Sequence, residues 1–279
     1  MKCSICESNN IKENLYTLPF LIEGGFIDTN ICVCSNCGIH FRNIDFNSEK
    51  IKKHYDVASY VLPSYEETYK NQRKDFFIWL HEVANSYVTR SNKKLLDIGC
   101  SYGHMMQIFK EQGHYDVYGL ELNANLREKL STDGYKVFGN LEEISDSKFD
   151  VITLIDSLYC FEEPYHLMKH LNTLLSDDGI LIIRITNRAW LASLFYKLGL
   201  KVPYIFMGDA KYSYTLKAMQ LLLQKNGFLI EKVITTEKGK SIKFGIKTLF
   251  YKVTEILSKI PKIKISPGLI FICRKVKND

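Results

Sequence analysis

Asp97, Gly99, Ser101, Gly103 and Glu121 have the types and spacing of a nucleoside-holding crevice. The run Leu95-Leu96-Asp97-Ile98 is apolar and ends in an acid and small residues, Gly99-Cys100-Ser101-Tyr102-Gly103. Glycines at 99 and 103 let the backbone turn sharply and approach a ligand, because neither has a Cβ to clash. The helix that follows would turn its free N–H groups toward the same crevice. Glu121 lies 24 residues after Asp97, at the expected tip of a second strand, Val117–Leu120. A carboxylate there can accept both hydrogen bonds of a ribose diol.

A second set of residues is fit for metal chemistry. Cys3-x-x-Cys6 and Cys34-x-x-Cys37-Gly38 stand 27 residues apart. Two such pairs place four thiolates around one tetrahedral ion, which suits zinc. Gly38 relieves the tight turn after the second pair, and Tyr16–Phe20 and Phe26–Val33 supply strands for a small ribbon. Four protein ligands close the coordination shell, so Cys3, Cys6, Cys34 and Cys37 predict a structural zinc and not a catalytic one. Cys32 lies one alternation before Cys34, outside the paired pattern.

The elements that must position these groups follow from length and pattern. A chain of 279 residues suits one large α/β domain with a small appendage. There is no apolar run of 18 residues and no apolar leader after Met1-Lys2-Cys3, so a cytoplasmic protein without a transmembrane segment is expected. Eight cysteines then read as metal ligands and buried thiols. The net charge of +6 is uneven: eleven basic residues fall between Lys238 and Asp279 against Glu255 and Asp279, and the remainder is slightly acidic. That basic stretch reads as a solvated face, with weak attraction for anionic partners as the alternative.

Strands are expected near Lys94–Ile98, Val117–Leu120, Lys136–Phe138, Val151–Ile155, Ile180–Ile185, Leu229–Thr235 and Leu269–Arg274. Helices are expected near Glu66–Arg90, Tyr102–Gln112, Ala124–Thr132, Tyr165–Leu175 and Leu216–Lys225, with turns at Asp178-Gly179 and Asn226-Gly227. The alternation predicts a Rossmann-like, seven-stranded, mostly parallel sheet with helices on both faces. The domains read as a zinc ribbon over 1–45, a helical connector or lid over 46–90, and the main domain over 91–279 with inserts near 189–214 and 242–264. The first insert is rich in aromatics, from Trp190 to Tyr214. The second repeats apolar residues at helical spacing from Ile246 to Ile260, a face for packing onto the domain or onto a second copy in a homodimer.

Asp97-x-Gly99-x-Ser101-x-Gly103 resembles the first motif of class I S-adenosylmethionine-dependent methyltransferases, with Ser101 where that family prefers Gly. The G-x-G-x-x-G register of dinucleotide enzymes fails, because His104 stands where its third small residue belongs. Phe149–Tyr159 resembles the family's fourth-strand motif, Leu174–Ile182 its next turn and strand, and Leu216–Phe228 its late helix. The Cys-x-x-Cys pairs and Ile265–Lys275 resemble a bacterial subgroup that often modifies deoxysugars, surface glycans or secondary metabolites. The resemblance implies S-adenosylmethionine as methyl donor. Asp97, Gly99, Cys100, Ser101, Tyr102 and Gly103 would face its methionine end, Glu121 and Leu122 its ribose and adenine, Asn140 and Leu141 the adenine amino group, and Asp156 and Ser157 the sulfonium.

The acceptor side is less defined. Methyl transfer needs alignment and, where the nucleophile carries a proton, a base. Many relatives have Glu-His after the fourth strand; here the pair is Tyr159-Cys160. Tyr159, His104 and Asp209 are the catalytic candidates, each with a structural alternative: buried packing, a solvent-exposed helix start and a turn. Methylation of a small-molecule acceptor, at oxygen in preference to carbon or nitrogen, is the leading expectation, with a nucleic-acid partner disfavoured. The rivals are an RNA methyltransferase, using the ribbon and the basic C-terminal region, and a noncatalytic cofactor-binding protein.

Overall fold

The computed structural model describes residues 1–22, 25–45, 63–144, 148–235, 266 and 268–276. The expected insert at 242–264 and residues 46–62 of the expected connector lie outside the described residues.

Seven strands form one sheet: β4 (Lys94–Ile98), β5 (Asp116–Leu120), β6 (Lys136–Phe138), β7 (Phe149–Ile155), β8 (Leu175–Thr186), β10 (Phe228–Ile234) and β11 (Gly268–Lys275). Their order is β10-β11-β8-β7-β4-β5-β6, parallel except that β11 runs antiparallel to both neighbours. The chain enters at β4, steps outward through β5 and β6, then returns to the other side of β4 with β7. The order therefore reverses between β4 and β7, and ligands of such sheets bind beyond the carboxyl ends of the strands at that point.

Strand alternation divides the core between the two faces. Leu95, Val151, Ile180, Ile182 and Ile270 face α1 (Pro63–Tyr87) and α2 (His104–Gly113), meeting Phe76, Leu80, Met106 and Phe109. Leu96, Ile152, Leu181, Ile183 and Phe271 face α4 (Pro164–Leu174) and α6 (Leu216–Lys225), meeting Met168, Leu171, Met219 and Leu222. Each such buried aliphatic side chain contributes about 1.5–3 kcal/mol. Local capping fixes the helix starts: Asn123 accepts from the Leu126 N–H to open α3 (Ala124–Thr132), and Thr215 accepts from the Ala218 N–H to open α6.

Several boundaries differ from the sequence reading, and two of the differences involve Asp150. The first helix ends at Tyr87, which frees Arg90 to pair with the buried Asp150. Strand β8 begins at Leu175, and Asp178-Gly179 lies within its bounds at an irregularity, where the register against β7 jumps from Leu175 to Ile180. Phe149 pairs with Leu175 and the Ser176 hydroxyl donates to Asp150 at 3.1 Å, contacts that extend the strand backward.

The N-terminal ribbon is a second sheet, built from β1 (Ile11–Ile22), β2 (Gly25–Cys34) and β3 (His40–Arg42). Its fourth strand, β9 (Tyr212–Ser213), comes from the aromatic insert, which also forms α5 (Ala189–Lys197). Arg42 is buried and donates to the carbonyls of Leu18, Pro19, Gly208 and Ala210, which welds the ribbon to the insert. The Thr215 hydroxyl donates to the Cys37 carbonyl at 2.6 Å, tying the second cysteine knuckle to the start of α6.

Candidate active site and cysteine centre

The crevice is shaped by backbone conformations that side chains resist. Gly99 has φ +77°, and a Cβ there would lie 2.7 Å from Ser157 Cβ. Gly103, the cap of α2, has φ +72°, and its Cβ would lie 2.6 Å from the Leu130 side chain. Ser101 sits between them at φ +51°, a left-handed conformation in which Gly would be less strained. The turn is pinned from below by the Leu120 carbonyl, which accepts from the N–H groups of Gly99 and Cys100 at 2.7 and 3.1 Å.

Glu121 follows on the tip of β5. Its carboxylate accepts from the N–H groups of Ser101 and Asn123, each at 2.9 Å. A carboxylate has about four lone-pair sites, so acceptor capacity remains toward the crevice. Burial raises its pKa. Asp97 is also buried, accepts from the Thr153 hydroxyl at 2.8 Å, and is pushed up to about 7 chiefly by desolvation, with the Glu121 charge adding to it. Leu122 stands exposed at the lip. Asn140 caps the short turn Leu141–Glu143, accepting from the Glu143 N–H at 3.0 Å.

From β7 come Asp156 and Ser157. The Ser157 hydroxyl donates to the Ile98 carbonyl at 2.7 Å. Asp156 has φ +59°, and both its oxygens are engaged: Arg73 of α1 donates to one at 2.8 Å and Arg184 of β8 to the other. The sequence reading missed this pair. Arg184 had a signal, a lone cation inside the apolar run Ile180-Leu181-Ile182-Ile183-Arg184-Ile185, which obliges a carboxylate partner. Arg73 had none; it lies in an ordinary helical pattern, and its guanidinium stacks 5.7 Å from the Tyr69 ring and 5.6 Å from Phe76.

The three catalytic candidates sit in different surroundings. His104 begins α2, stacked against Tyr102 with ring centroids 5.8 Å apart, and its Nε2 is buried without a hydrogen-bond partner. It is thus no solvent-facing helix start, and burial lowers its pKa. Tyr159 bridges the main core and the ribbon–insert core, and burial raises its phenol well above the usual range, with the Asp156 charge adding to it. Asp209 accepts from the Leu21 N–H at 3.2 Å and from the Tyr204 hydroxyl, between ribbon and insert. The insert aromatics likewise pack inward: Phe195 meets Phe206 edge-on at 5.1 Å, and Tyr214 is fully buried. The space at the crevice lies instead under α1. A cavity of about 10 Å³ remains among Tyr69, Phe77, Asp97, Gly99 and His104, and one of about 270 Å³ opens beside it between α1 and α2.

The four cysteines converge. Their sulfurs all lie within 4.8 Å of one another, with Cys3–Cys37 at 3.7 Å and Cys6–Cys34 at 3.5 Å. Zinc–sulfur bonds of about 2.3 Å in a tetrahedron require sulfurs about 3.8 Å apart, so the donor set fits such an ion. Cys32 is buried apart from this cluster.

Residues 69–233 match the family described as Methyltransferase domain. The chain belongs to that family. It carries an S-adenosylmethionine-dependent methyltransferase domain of the α/β Rossmann-like type, with an N-terminal cysteine cluster consistent with a zinc ribbon. Among curated proteins it is similar to a tRNA U34 carboxymethyltransferase of Nautilia profundicola, 27% identical over 157 residues, covering 50% of this chain and 51% of that one. It is also similar to an uncharacterized protein of Haemophilus influenzae, 31% identical over 103 residues, covering 32% and 41%. The chain thus spans about half or less of the length of these relatives. Among solved structures, the plantazolicin methyltransferase BpumL in complex with SAH aligns over 81% of this chain and 97% of its own, with TM-score 0.50 and 17% identity. A complex of the Haloferax volcanii Trm112 methyltransferase activator and a methyltransferase aligns over 78% and 97%, with TM-score 0.55 and 11% identity. These likenesses carry the fold. No described helix is long and apolar enough to cross a membrane.

Proposed function

We propose that this methyltransferase acts on a small-molecule acceptor, a deoxysugar, surface glycan or secondary metabolite, with oxygen as the favoured nucleophile. The observation that supports this most is the union of ribbon and insert into one sheet against the end of β7. The Tyr159 carbonyl accepts from the Lys211 N–H at 3.0 Å, and the Tyr212 hydroxyl donates to the Glu162 carbonyl at 3.0 Å. The acceptor side is thereby walled, and the ribbon's part of the wall is not basic: residues 1–45 contain Lys2, Lys12 and Arg42 against Glu7, Glu13, Glu23, Asp28 and Asp45, and Arg42 is buried. An RNA track calls for a basic face.

S-adenosylmethionine supplies an electrophilic methyl group when bound. In this reading Glu121 accepts from the ribose hydroxyls, the Gly99–Gly103 turn holds the methionine end, and Leu122, Asn140 and Leu141 surround the adenine. The cavity of about 10 Å³ beside Asp97, Gly99 and His104 has room for about one water, so in this reading α1 moves outward when the methionine end of the cofactor enters. The Arg73–Asp156 ion pair latches it afterwards, with Arg184 holding the carboxylate from the sheet side. His104 is neutral at pH 7 because burial lowers its pKa, and it serves as the proton acceptor. Tyr159 stays protonated and orients the acceptor by donating a hydrogen bond, and Asp209 holds the insert in place. A structural zinc on Cys3, Cys6, Cys34 and Cys37 stiffens the wall.

The likeness to a tRNA carboxymethyltransferase and the basic C-terminal sequence favour the second reading, an RNA acceptor. Labelled S-adenosylmethionine, supplied with a small-metabolite extract in one arm and total tRNA in the other, distinguishes the two. Label in a small metabolite is expected, and label in RNA would overturn the proposal. With any acceptor found, His104→Gln should lower kcat by about 100-fold or more. The wild-type rate should fall only below pH 6.5, as the lowered imidazole pKa is crossed.

A further inference from the structure

One surface on the insert lacks the polar cover that the rest of the described chain has. Leu194, Tyr196, Leu198, Leu200 and Ile205 are between 42% and 62% exposed, and Phe26, at the tip of the ribbon hairpin, is 62% exposed. All but Phe26 fall within residues 194–205 of the insert. The Leu198 N–H donates to the Leu194 carbonyl, the Leu200 N–H to the Phe195 carbonyl, and Arg188 reaches the Ile205 carbonyl at 2.7 Å. Phe26 packs edge-on against Tyr204, with centroids 6.0 Å apart. Scattered single apolar residues are ordinary on a surface, but a contiguous group marks an interaction site.

The charges around the patch indicate what covers it. From Arg188 to Gly208 the chain contains Arg188, Lys197 and Lys201 and no acidic residue. Lys197 and Lys201 are exposed, one in the last turn of α5 and the other in the loop beyond it. A protein partner would need a matching apolar face of fixed shape, whereas these side chains sit on a short helix, an irregular loop and a hairpin tip. Exposed aliphatic and aromatic residues mixed with lysines, without acids, are the composition that lies in the headgroup region of an anionic bilayer. The sequence adds eleven basic residues against two acids between Lys238 and Asp279.

We infer that the Arg188–Gly208 insert and Phe26 dock this enzyme on an anionic phospholipid surface. Docking is peripheral: Leu194, Leu198, Leu200, Ile205 and Phe26 enter the interface while Lys197 and Lys201 meet lipid phosphates. The insert is the same segment that walls the acceptor side, so docking would bring that side to the membrane. The inference does not depend on the identity of the acceptor, since binding to lipid is measured without turnover.

The test is co-sedimentation of the full-length, zinc-loaded chain with vesicles, either phosphatidylcholine alone or phosphatidylcholine with phosphatidylglycerol. Binding to the mixed vesicles is expected, weakening as salt is raised, with little binding to neutral ones. Each lysine near an anionic surface contributes about fivefold in partition, so Lys197→Ala with Lys201→Ala should weaken binding by roughly 25-fold. Leu198→Ser with Leu200→Ser should abolish it. Calorimetric binding of S-adenosylhomocysteine by each variant confirms that it is folded. Equal sedimentation of wild type and both folded variants, or none of the wild type, would overturn the inference. So would a wild-type dimer, seen by light scattering, that the leucine variant converts to monomer, because the patch would then be covered by a second copy.

Discussion

Replacing Glu121 by Gln keeps the shape of the side chain and removes its charge and one acceptor. In the structure the two oxygens face the N–H groups of Ser101 and Asn123, both at 2.9 Å. An amide must therefore turn its NH2 toward one of these donors, losing that bond. Toward the crevice it also replaces charge-assisted hydrogen bonds with a neutral one. Hydrogen bonds to a charged group are worth about 1.5–3 kcal/mol. Losing one such contribution to the ribose corresponds to a cofactor affinity roughly 10- to 150-fold weaker. Calorimetric titration with S-adenosylhomocysteine gives the affinity, and thermal melting without ligand separates it from damage to the Ser101 turn. An analogue lacking the ribose 2′-hydroxyl should show a smaller difference between wild type and variant. A Kd within twofold of wild type, at an unchanged melting temperature, would refute the assignment of Glu121 to the ribose.

Two further outcomes concern stability. Burial lifts Asp97 from 3.8 to about 7, so the folded state binds its proton more tightly than the unfolded chain does. That contribution is complete below pH 3.8 and is lost as pH rises through about 7; it amounts to roughly 4 kcal/mol. Asp97→Asn should accordingly gain stability relative to wild type between pH 5 and pH 8 in ligand-free urea unfolding; a difference independent of pH would contradict the burial argument. Elemental analysis should find about one zinc per chain, and Cys37→Ser should lose it. Because Cys3, Cys34 and Cys37 share one core with Tyr212, Tyr214 and Leu222, zinc loss should expose the insert to proteolysis as well as the ribbon. Intact resistance in the zinc-free variant would show that the metal does not support the wall.

How much of this was legible in the sequence depended on how local each signal is. The bounds of β4, β6, α3 and α6 coincide with the sequence reading; for the two helices, Asn123 and Thr215 are caps that mark a helix start by themselves. The four cysteines were legible for the same reason, since their spacing is the geometry. The turn expected at Asp178-Gly179 falls within the bounds of β8, where pairing with β7 jumps from Leu175 to Ile180 and leaves the dipeptide without a partner in β7. The Arg73–Asp156 latch joins residues 83 positions apart, and nothing in either neighbourhood encodes the other. The aromatic insert is legible in the sequence only as a composition. Composition could not show that Phe195, Phe206 and Tyr214 face inward while Leu198, Leu200 and Ile205 face out.

The borrowed strand β9 sets an order on the birth of this protein. The ribbon is translated first, yet its sheet is completed by Tyr212 and Ser213, and Arg42 finds the Gly208 and Ala210 carbonyls only when that segment exists. At ordinary elongation rates the first cysteine pair waits roughly 10–40 s for its closing strand. During that interval a metal on the four cysteines would hold the hairpin together while its edge stays unpaired. Zinc supplied during synthesis would then favour the native form, and not only the finished protein.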